Sequence, residues 1–353
     1  MPVRLHSNRF IHDRPEGPSQ SSRTKPSQLS EPSREPIRIA LVNSMPEAAF
    51  KATENQFLSL LESASEGLAV ELSLYVLRGA AVTASNKSQA ASRYACVDEL
   101  WGQSLDGLIV TGTEPMTTAL KDEPYWESFA QLLDWARDNT RSTIWSCLAA
   151  HAAILHMDGI ERRRNHTKHF GIFQCHRQSD DGLLKGVAPR FAIPHSRWNG
   201  VDARQLEACG YLVVSRTADA EVDTFMKQEN SLFVFFQGHP EYATDTLLRE
   251  YRRDIGRYIR RDAGVYPHLP HGYFDSASEQ AFSSLRESAS SRPSNELLAG
   301  VTAVMDTLQI ENTWQPTAVR LYRNWLEYTC ERKDASQLVR KGDDSHARYQ
   351  EPF

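Results

Sequence analysis

The chain has 353 residues, 40% of them hydrophobic and 24% charged, which is enough apolar material to bury one large α/β core. Its formal net charge of −5 excludes the strongly basic surface that general binding to nucleic acid or membranes calls for. No apolar run reaches the ~18–20 residues of a membrane-spanning helix, and the first 35 residues carry no apolar signal-peptide core, so no secretory signal is expected.

Five cysteines, Cys96, Cys147, Cys175, Cys209 and Cys330, are widely spaced with no CxxC pair. That spacing suits neither a disulfide framework nor a zinc site, and a reducing cytoplasm is the expected location.

Residues 1–36, rich in Ser, Pro, Arg, Glu and Gln, read as a disordered tail. IRIALVN (37–43) reads as a strand buried on both faces. A helix follows in SMPEAAFKATENQFLSLLESAS, with Phe57, Leu58, Leu60 and Leu61 at helical spacing. VELSLYVL (70–77) is the next strand, and residues 87–95 are expected to be helical. LDGLIVTG (105–112) is a third strand, PYWESFAQLLDWARDN (124–139) a helix with proline near its start, and TIWS (143–146) a fourth strand. This alternation implies right-handed crossovers and a three-layer, mostly parallel sheet with helices on both faces. Ligand sites in such sheets lie at the carboxyl ends of the strands. NSMPEAAFK, TGTEP and Cys147 all fall at such ends.

Further along, RRRNHTKHFG (162–171) and PHSRW (194–198) read as loops. The first is basic and could receive a carboxylate or phosphates, or simply be solvated; spacing does not decide. YLVVSRT (211–217) and SLFVFFQ (231–237) are strands, and the second runs into GHPEY (238–242) and a helix, TDTLLREYRRDIGRYIRR (244–261). The domain reading is a tail at 1–36, an α/β domain at 37–274, a surface insertion at 275–315, a closing helix at 316–335 packed on the same domain, and a frayed tail at 336–353.

Cys147 stands between TIWS and the helix-forming LAAHAAIL. At such an elbow the helix's first N–H groups point toward the thiol, and the helix end carries about +0.5 of a unit charge, which favours thiolate. The same N–H groups, with Leu148 foremost, could hold an oxyanion, and the loop at Gly112 could supply a second donor. His239 and Glu241, two residues apart after an apolar strand, supply a base and an orienting carboxylate. The competing reading is a buried thiol and a surface His-Pro turn. His151 reads as a residue of the elbow helix, and His166, His169 and His176 belong to the basic stretch. No repeated His/Asp spacing suggests a metal site. Arg252 and Arg253 lie on the helix after GHPEY, where a guanidinium could fork onto a carboxylate.

Together, NSMPEAAFKATENQFLSLL, DGLIVTG, STIWSCLAAHAAI, HTKHFG, PHSRW, and GHPEY followed by EYRRD resemble the MetA family of homoserine O-acyltransferases. The likeness runs from about residue 37 to 274 and resumes weakly at LYRNWLEY (321–328). It implies a flavodoxin-like fold similar to class I glutamine amidotransferases. It further implies that Cys147 carries the acyl group as a thioester, that His239 is the proton acceptor and that Glu241 orients it. Lys168, Ser196 and Arg253 fall at homoserine-binding positions. Acyl-CoA enters as a co-substrate with no further cofactor, and a homodimer is expected because family members are often dimers. The family loop after TG sets acyl-donor choice. Here it reads TEPM, which puts Met116 at the selecting position with Glu114 two residues earlier, and methionine matches neither the glycine associated with succinyl donors nor the glutamate associated with acetyl donors. Leu148 stands where some members have Trp. The loop before the first helix is two residues longer than the common form, so Lys51 matches the family lysine only loosely.

The expected activity is transfer of a succinyl group from succinyl-CoA to L-homoserine. Acetyl-CoA as donor stays open because Met116 matches neither pattern, and serine as acceptor stays open because the one methylene that separates it from homoserine is worth only ~1–3 kcal/mol of discrimination. A glutaminase or other amidohydrolase on the same fold would use the same triad, but the Lys168, Ser196 and Arg253 set speaks against it. A catalytically silent regulator would not need Cys147, His239 and Glu241 together.

Overall fold

A computed structural model describes residues 3–5, 35–80, 93–180, 182–291 and 295–347. Eleven strands form one sheet. They are β1 (Val3–Leu5), β2 (Ile37–Val42), β3 (Val70–Val76), β4 (Ala95–Cys96), β5 (Gly107–Val110), β6 (Ser142–Ser146), β7 (Arg163–Arg177), β8 (Arg190–Gly200), β9 (Leu212–Thr217), β10 (Val222–Gln228) and β11 (Leu232–Phe236). Their order is β1-β3-β2-β5-β6-β11-β10-β9-β7-β8, with β4 pairing β3 to one side. From β1 to β11 all neighbours are parallel; from β11 to β8 they are antiparallel.

The helices are α1 (Glu47–Ala64), α2 (Trp126–Asn139), α3 (Leu148–Asp158), α4 (Ala203–Ala208), α5 (Thr246–Ile259), α6 (Ser276–Ser291), α7 (Asn295–Met305) and α8 (Gln315–Ala347). Alternation along the apolar strands divides the core in two. Ala40, Val42, Leu108, Val110, Trp145, Phe233 and Phe235 pack with α2, α3 and α4. Ile39, Leu41, Ile109, Ile144, Val234 and Phe236 pack with α1 and α8. This is the three-layer α/β sandwich that the strand–helix alternation implies.

Several local expectations need correction. Within 1–36, Val3–Leu5 is a strand that pairs with Val70–Leu72 and buries Val3. Most of the helix expected at 87–95 lies outside the described residues, and Ala95 at its end is in β4. The two presumed loops, RRRNHTKHFG and PHSRW, belong to the paired strands β7 and β8. β10 was not foreseen. Its VDTFMKQ carries polar residues in adjacent pairs, without the alternation of a strand, and Asp223 and Thr224 are buried all the same. The stretch 275–315 is not an unpatterned insertion: Phe282, Leu297, Val301 and Trp314 form a third core with Leu247, Tyr251 and Ile255 of α5. The closing helix does not stop near 335, and α8 continues to Ala347. Among the described residues no helix is long and apolar enough to cross a membrane.

Candidate active site

β6 and β11 are adjacent and parallel, with Ser146 opposite Phe236. Their carboxyl ends therefore deliver Cys147 and the segment 237–241 to one place. The Cys147 N–H donates to the Phe236 carbonyl at 2.7 Å, which ties the elbow to the end of β11. Cys147 has φ 51° and ψ −106°, a left-handed conformation that costs a non-glycine residue ~1–3 kcal/mol and clusters at functional turns. The strain lifts the side chain out of the strand just before α3 begins at Leu148.

Gly238 makes the second half of the approach. A methyl group there would meet Ile193 Cγ2 at 2.5 Å, His195 Nε2 at 2.9 Å and the Pro194 carbonyl oxygen at 3.0 Å. Only glycine lets the chain pass this close to β8, and the His239 N–H then donates to the Pro194 carbonyl at 2.8 Å. The imidazole stacks on Tyr242, with ring centroids 4.3 Å apart. Its Nδ1 lies 2.8 Å from Glu241 Oε1, and the Cys147 side chain is close enough to act on its charge. With Nδ1 donating to the carboxylate, Nε2 is the nitrogen left for sulfur. Burial works against charging the imidazole. Cys147 and then Glu241 outweigh it, and the pKa of His239 is raised well above its ordinary value. Glu241 is buried, and its Oε1 also accepts a 3.5 Å bond from Ser146 Oγ.

Leu148 is the first residue of α3, so its N–H has no partner in the helix ladder. Gly112, from the end of β5, lies against it: a Cβ on Gly112 would be 3.0 Å from both Leu148 N and Leu148 Cβ. Gly112 and the first turn of α3 thus lie side by side at the elbow.

Lys168, Ser196 and Arg253 come from three elements and meet at two carboxylates of α5. Ser196 Oγ donates to Glu250 Oε2, and Tyr242 Oη donates to Glu250 Oε1 at 2.6 Å. Lys168 Nζ lies 3.0 Å from Asp254 Oδ2, 3.8 Å from Glu250 Oε2 and 4.0 Å above the Phe170 ring. Arg253 Nη2 pairs with Asp254 Oδ1 at 3.0 Å and remains 47% exposed. Burial opposes ionisation of Asp254, but Lys168 and Arg253 outweigh it and hold its pKa below the usual value. Arg252 is exposed and Lys51 pairs with Glu54. The sequence reading passed over Glu250 and Asp254, although both stand in EYRRD at the i, i+3 and i, i+4 spacing that puts them on the face of Arg253 and Arg257.

The loop after Gly112 is held at both ends. Glu114 Oε1 pairs with Arg257 Nη2 at 2.7 Å. The buried Glu123 accepts from the N–H groups of Met116 and Thr117, each at 2.8 Å, and from Thr117 Oγ1. Met116 itself is 56% exposed. Glu123 was also missed; nothing in a lone glutamate seven residues on marks it as the anchor of that loop.

Cys175, His195 and Asp223 form a second cluster, wholly buried, whose donor atoms lie within 4.8 Å of one another. Arg197 Nε donates to His195 Nδ1 at 3.2 Å. His195 Nε2 therefore carries the proton and faces Asp223 Oδ1 at 3.1 Å, and Nδ1, the nitrogen through which this tautomer would bind a metal ion, is taken by Arg197. Burial pulls His195 down to about 4 and pushes the Cys175 thiol far up. This cluster is a neutral-histidine bridge between a buried arginine and a buried aspartate, and Cys175 is not a nucleophile. His151, one turn into α3, is also buried, and burial with Arg197 nearby lowers it to about 3. His166 is exposed, His169 stacks on Phe173, and His176 is half-buried.

A family model described as homoserine O-succinyltransferase matches residues 24–336. A homoserine O-succinyltransferase of Rhodopseudomonas palustris is 41% identical over 318 residues, covering 88% of this chain and 96% of that protein. One from Bradyrhizobium japonicum is 42% identical over 298 residues, covering 84% and 91%. Among solved structures, a glutamine amidotransferase of Thermotoga maritima aligns over 84% of this chain and 100% of its own with 13% identity and a TM-score of 0.47.

Proposed function

The chain belongs to the homoserine O-succinyltransferase family, and from that premise we propose that it moves a succinyl group from succinyl-CoA to the hydroxyl of L-homoserine through a thioester on Cys147. The step belongs to methionine biosynthesis, and the cytoplasm is its proposed location. The observation that carries the reading is the line Cys147–His239–Glu241 at the ends of two neighbouring strands.

In the first half, the Cys147 thiol proton passes to His239 Nε2 and the sulfur attacks the succinyl carbonyl carbon. The Leu148 and Gly112 N–H groups hold the oxyanion. The carbon–sulfur bond to CoA breaks, and the CoA thiolate takes the proton from His239. In the second half, His239 accepts the hydroxyl proton of homoserine and the oxygen attacks the thioester. The bond to Cys147 breaks, O-succinylhomoserine leaves, and the thiol regains its proton from His239. Glu241 keeps Nδ1 protonated and steadies the imidazolium in both halves. The scheme calls for no prosthetic group.

The acceptor is a zwitterion carrying one hydroxyl. Glu250, already a hydrogen-bond acceptor for Ser196 and Tyr242, suits its ammonium, and Lys168 and Arg253 suit its carboxylate. This paired set suits an amino-acid acceptor, whose hydroxyl takes the place of water at the thioester. Met116 and Glu114 are assigned to acyl-donor selection, because their loop starts at the Gly112 donor and is latched to α5 through Arg257.

The test is a matrix of succinyl-CoA and acetyl-CoA against homoserine and serine, reading free-thiol release, with mass spectrometry of enzyme exposed to donor alone. A succinyl adduct confined to the Cys147 peptide and discharged by homoserine is expected. Thiol release without any adduct, or an unimpaired Cys147→Ala enzyme, would overturn the scheme.

A further inference from the structure

We propose that the arginine-rich start of β7 and the exposed Trp198 of β8 form the docking site for the nucleotide end of coenzyme A, with its phosphates on Arg163 and Arg164 and its adenine against the Trp198 ring. The proposal rests on the reading of acyl-CoA as donor and extends it to a place that the catalytic residues do not reach.

The charge pattern comes first. From Arg162 to Ser179 the sequence contains no acidic residue, while it carries Arg162, Arg163, Arg164, Lys168 and Arg177. A like-charge run of this kind in a chain of net charge −5 costs stability unless an anion answers it. Some of these cations are already engaged: Lys168 pairs with Asp254, Arg177 with Asp180, and Arg163 with Glu221 at 2.8 Å, although Arg163 stays 59% exposed. Arg164 is exposed and, among the described ion pairs, takes none. Its guanidinium lies 4.3 Å over the Trp198 ring. A flat cation on an indole that is 44% exposed offers both elements that nucleotides bind through, a stacking face and a phosphate fork.

Position supplies the second argument. β8 is the last strand of the sheet. Alternation puts Trp198 on the same face as Ser196, about 7 Å farther along the strand. The Ser196 face holds the Glu250 and Lys168 cradle. Arg162 Nη2 donates to the Thr118 carbonyl at 3.3 Å, which joins this hairpin to the loop bearing Met116. The path from Cys147 to the arginines thus runs past the donor-selecting loop and along the rim of the acceptor cradle. A long, uncharged pantetheine arm spans such a path, with the acyl group at one end and the phosphates at the other.

The probes are adenosine 3′,5′-bisphosphate and CoA, measured by calorimetry on the full chain and on the double variant Arg164→Gln with Trp198→Leu, both exposed positions. Adenosine 3′,5′-bisphosphate should bind the wild type, compete with succinyl-CoA and not with homoserine. The variant should raise KM for succinyl-CoA about tenfold with kcat and the homoserine KM unchanged. Its turnover of a succinyl-pantetheine thioester, which lacks the nucleotide, should match the wild type. An equal loss on the truncated thioester, or no binding of the bisphosphate, overturns the docking site. So does equally tight binding of inorganic diphosphate or of a short RNA, which would mark a general anion patch. If the wild type turns over neither thioester, the acyl-CoA reading fails, while binding of the bisphosphate still decides the site itself.

Discussion

Gly112→Ala isolates the second oxyanion donor. The new methyl group would lie 3.0 Å from Leu148 N, 3.0 Å from Leu148 Cβ and 3.3 Å from the Ser146 carbonyl oxygen. Two of these atoms belong to the elbow backbone, which is pinned by the 2.7 Å bond from Cys147 N–H to Phe236 and by the bonds from the Ala150 and His151 N–H groups to the Cys147 carbonyl. The elbow cannot yield, so residues 111–113 must shift by a few tenths of an ångström and carry the Gly112 N–H off its line. Loss of one oxyanion donor costs about 10²–10³ in kcat. A partial displacement should therefore slow acylation by about 10- to 100-fold, with overpacking costing ~1–3 kcal/mol of stability. The assay is the pre-steady-state burst of CoA release from succinyl-CoA, alongside thermal unfolding. Gly102→Ala, where a methyl group would meet nothing within 4 Å, is the control and should change neither. An acylation rate within about twofold of wild type, in a variant whose lowered Tm shows that the clash is felt, would refute the assignment of Gly112 as a donor.

Four further outcomes are expected. In Cys147→Ser the strongest influence raising His239 is removed, so the His239 pKa followed by NMR should fall toward about 6.5. Because that pKa is raised on folding, the stability that His239 contributes is full below about 6.5 and is lost as pH rises through the folded value. The stability gap between wild type and His239→Gln should accordingly shrink at alkaline pH; a gap that widens would contradict the ion pair. Glu250→Gln keeps the shape that Ser196 and Tyr242 bond but removes the charge, and should raise the homoserine KM by about 10- to 100-fold while leaving acylation by donor alone unaltered. Glu123→Gln replaces the charged acceptor beneath Met116 and Thr117 and should change the succinyl-to-acetyl preference; an unaltered ratio would separate donor choice from the conformation of this loop.

Much of the architecture follows from local pattern. The strands that lie parallel in the sheet's centre are short apolar runs, and each is bounded by a helix whose apolar spacing is plain, so β2, β3, β5, β6 and β11 could be placed within a residue or two. Cys147 was legible for the same reason, since a change from strand to helix material marks an elbow. In the antiparallel half β9 was legible as YLVVSRT (211–217), whereas β7, β8 and β10 were not. β7 and β8 are long and polar because β8 is an edge and one face lines the site, so charge was mistaken for loop. The helices at 276–305 were hidden because a handful of apolar residues, Phe282, Leu297 and Val301 among them, suffice when they meet α5.

Sequence by itself determined the layered α/β class and the residues at the strand ends, because hydrophobic periodicity and turn chemistry act over a few neighbouring positions. Only the tertiary structure decided which of those ends meet. Cys147 and His239 come together through the pairing of β6 with β11, and Glu250 gains its meaning from Ser196, Tyr242 and Lys168 on other elements. Contacts between residues so distant in the chain leave no periodic trace, since the energy that selects them belongs to the folded sheet rather than to any one segment.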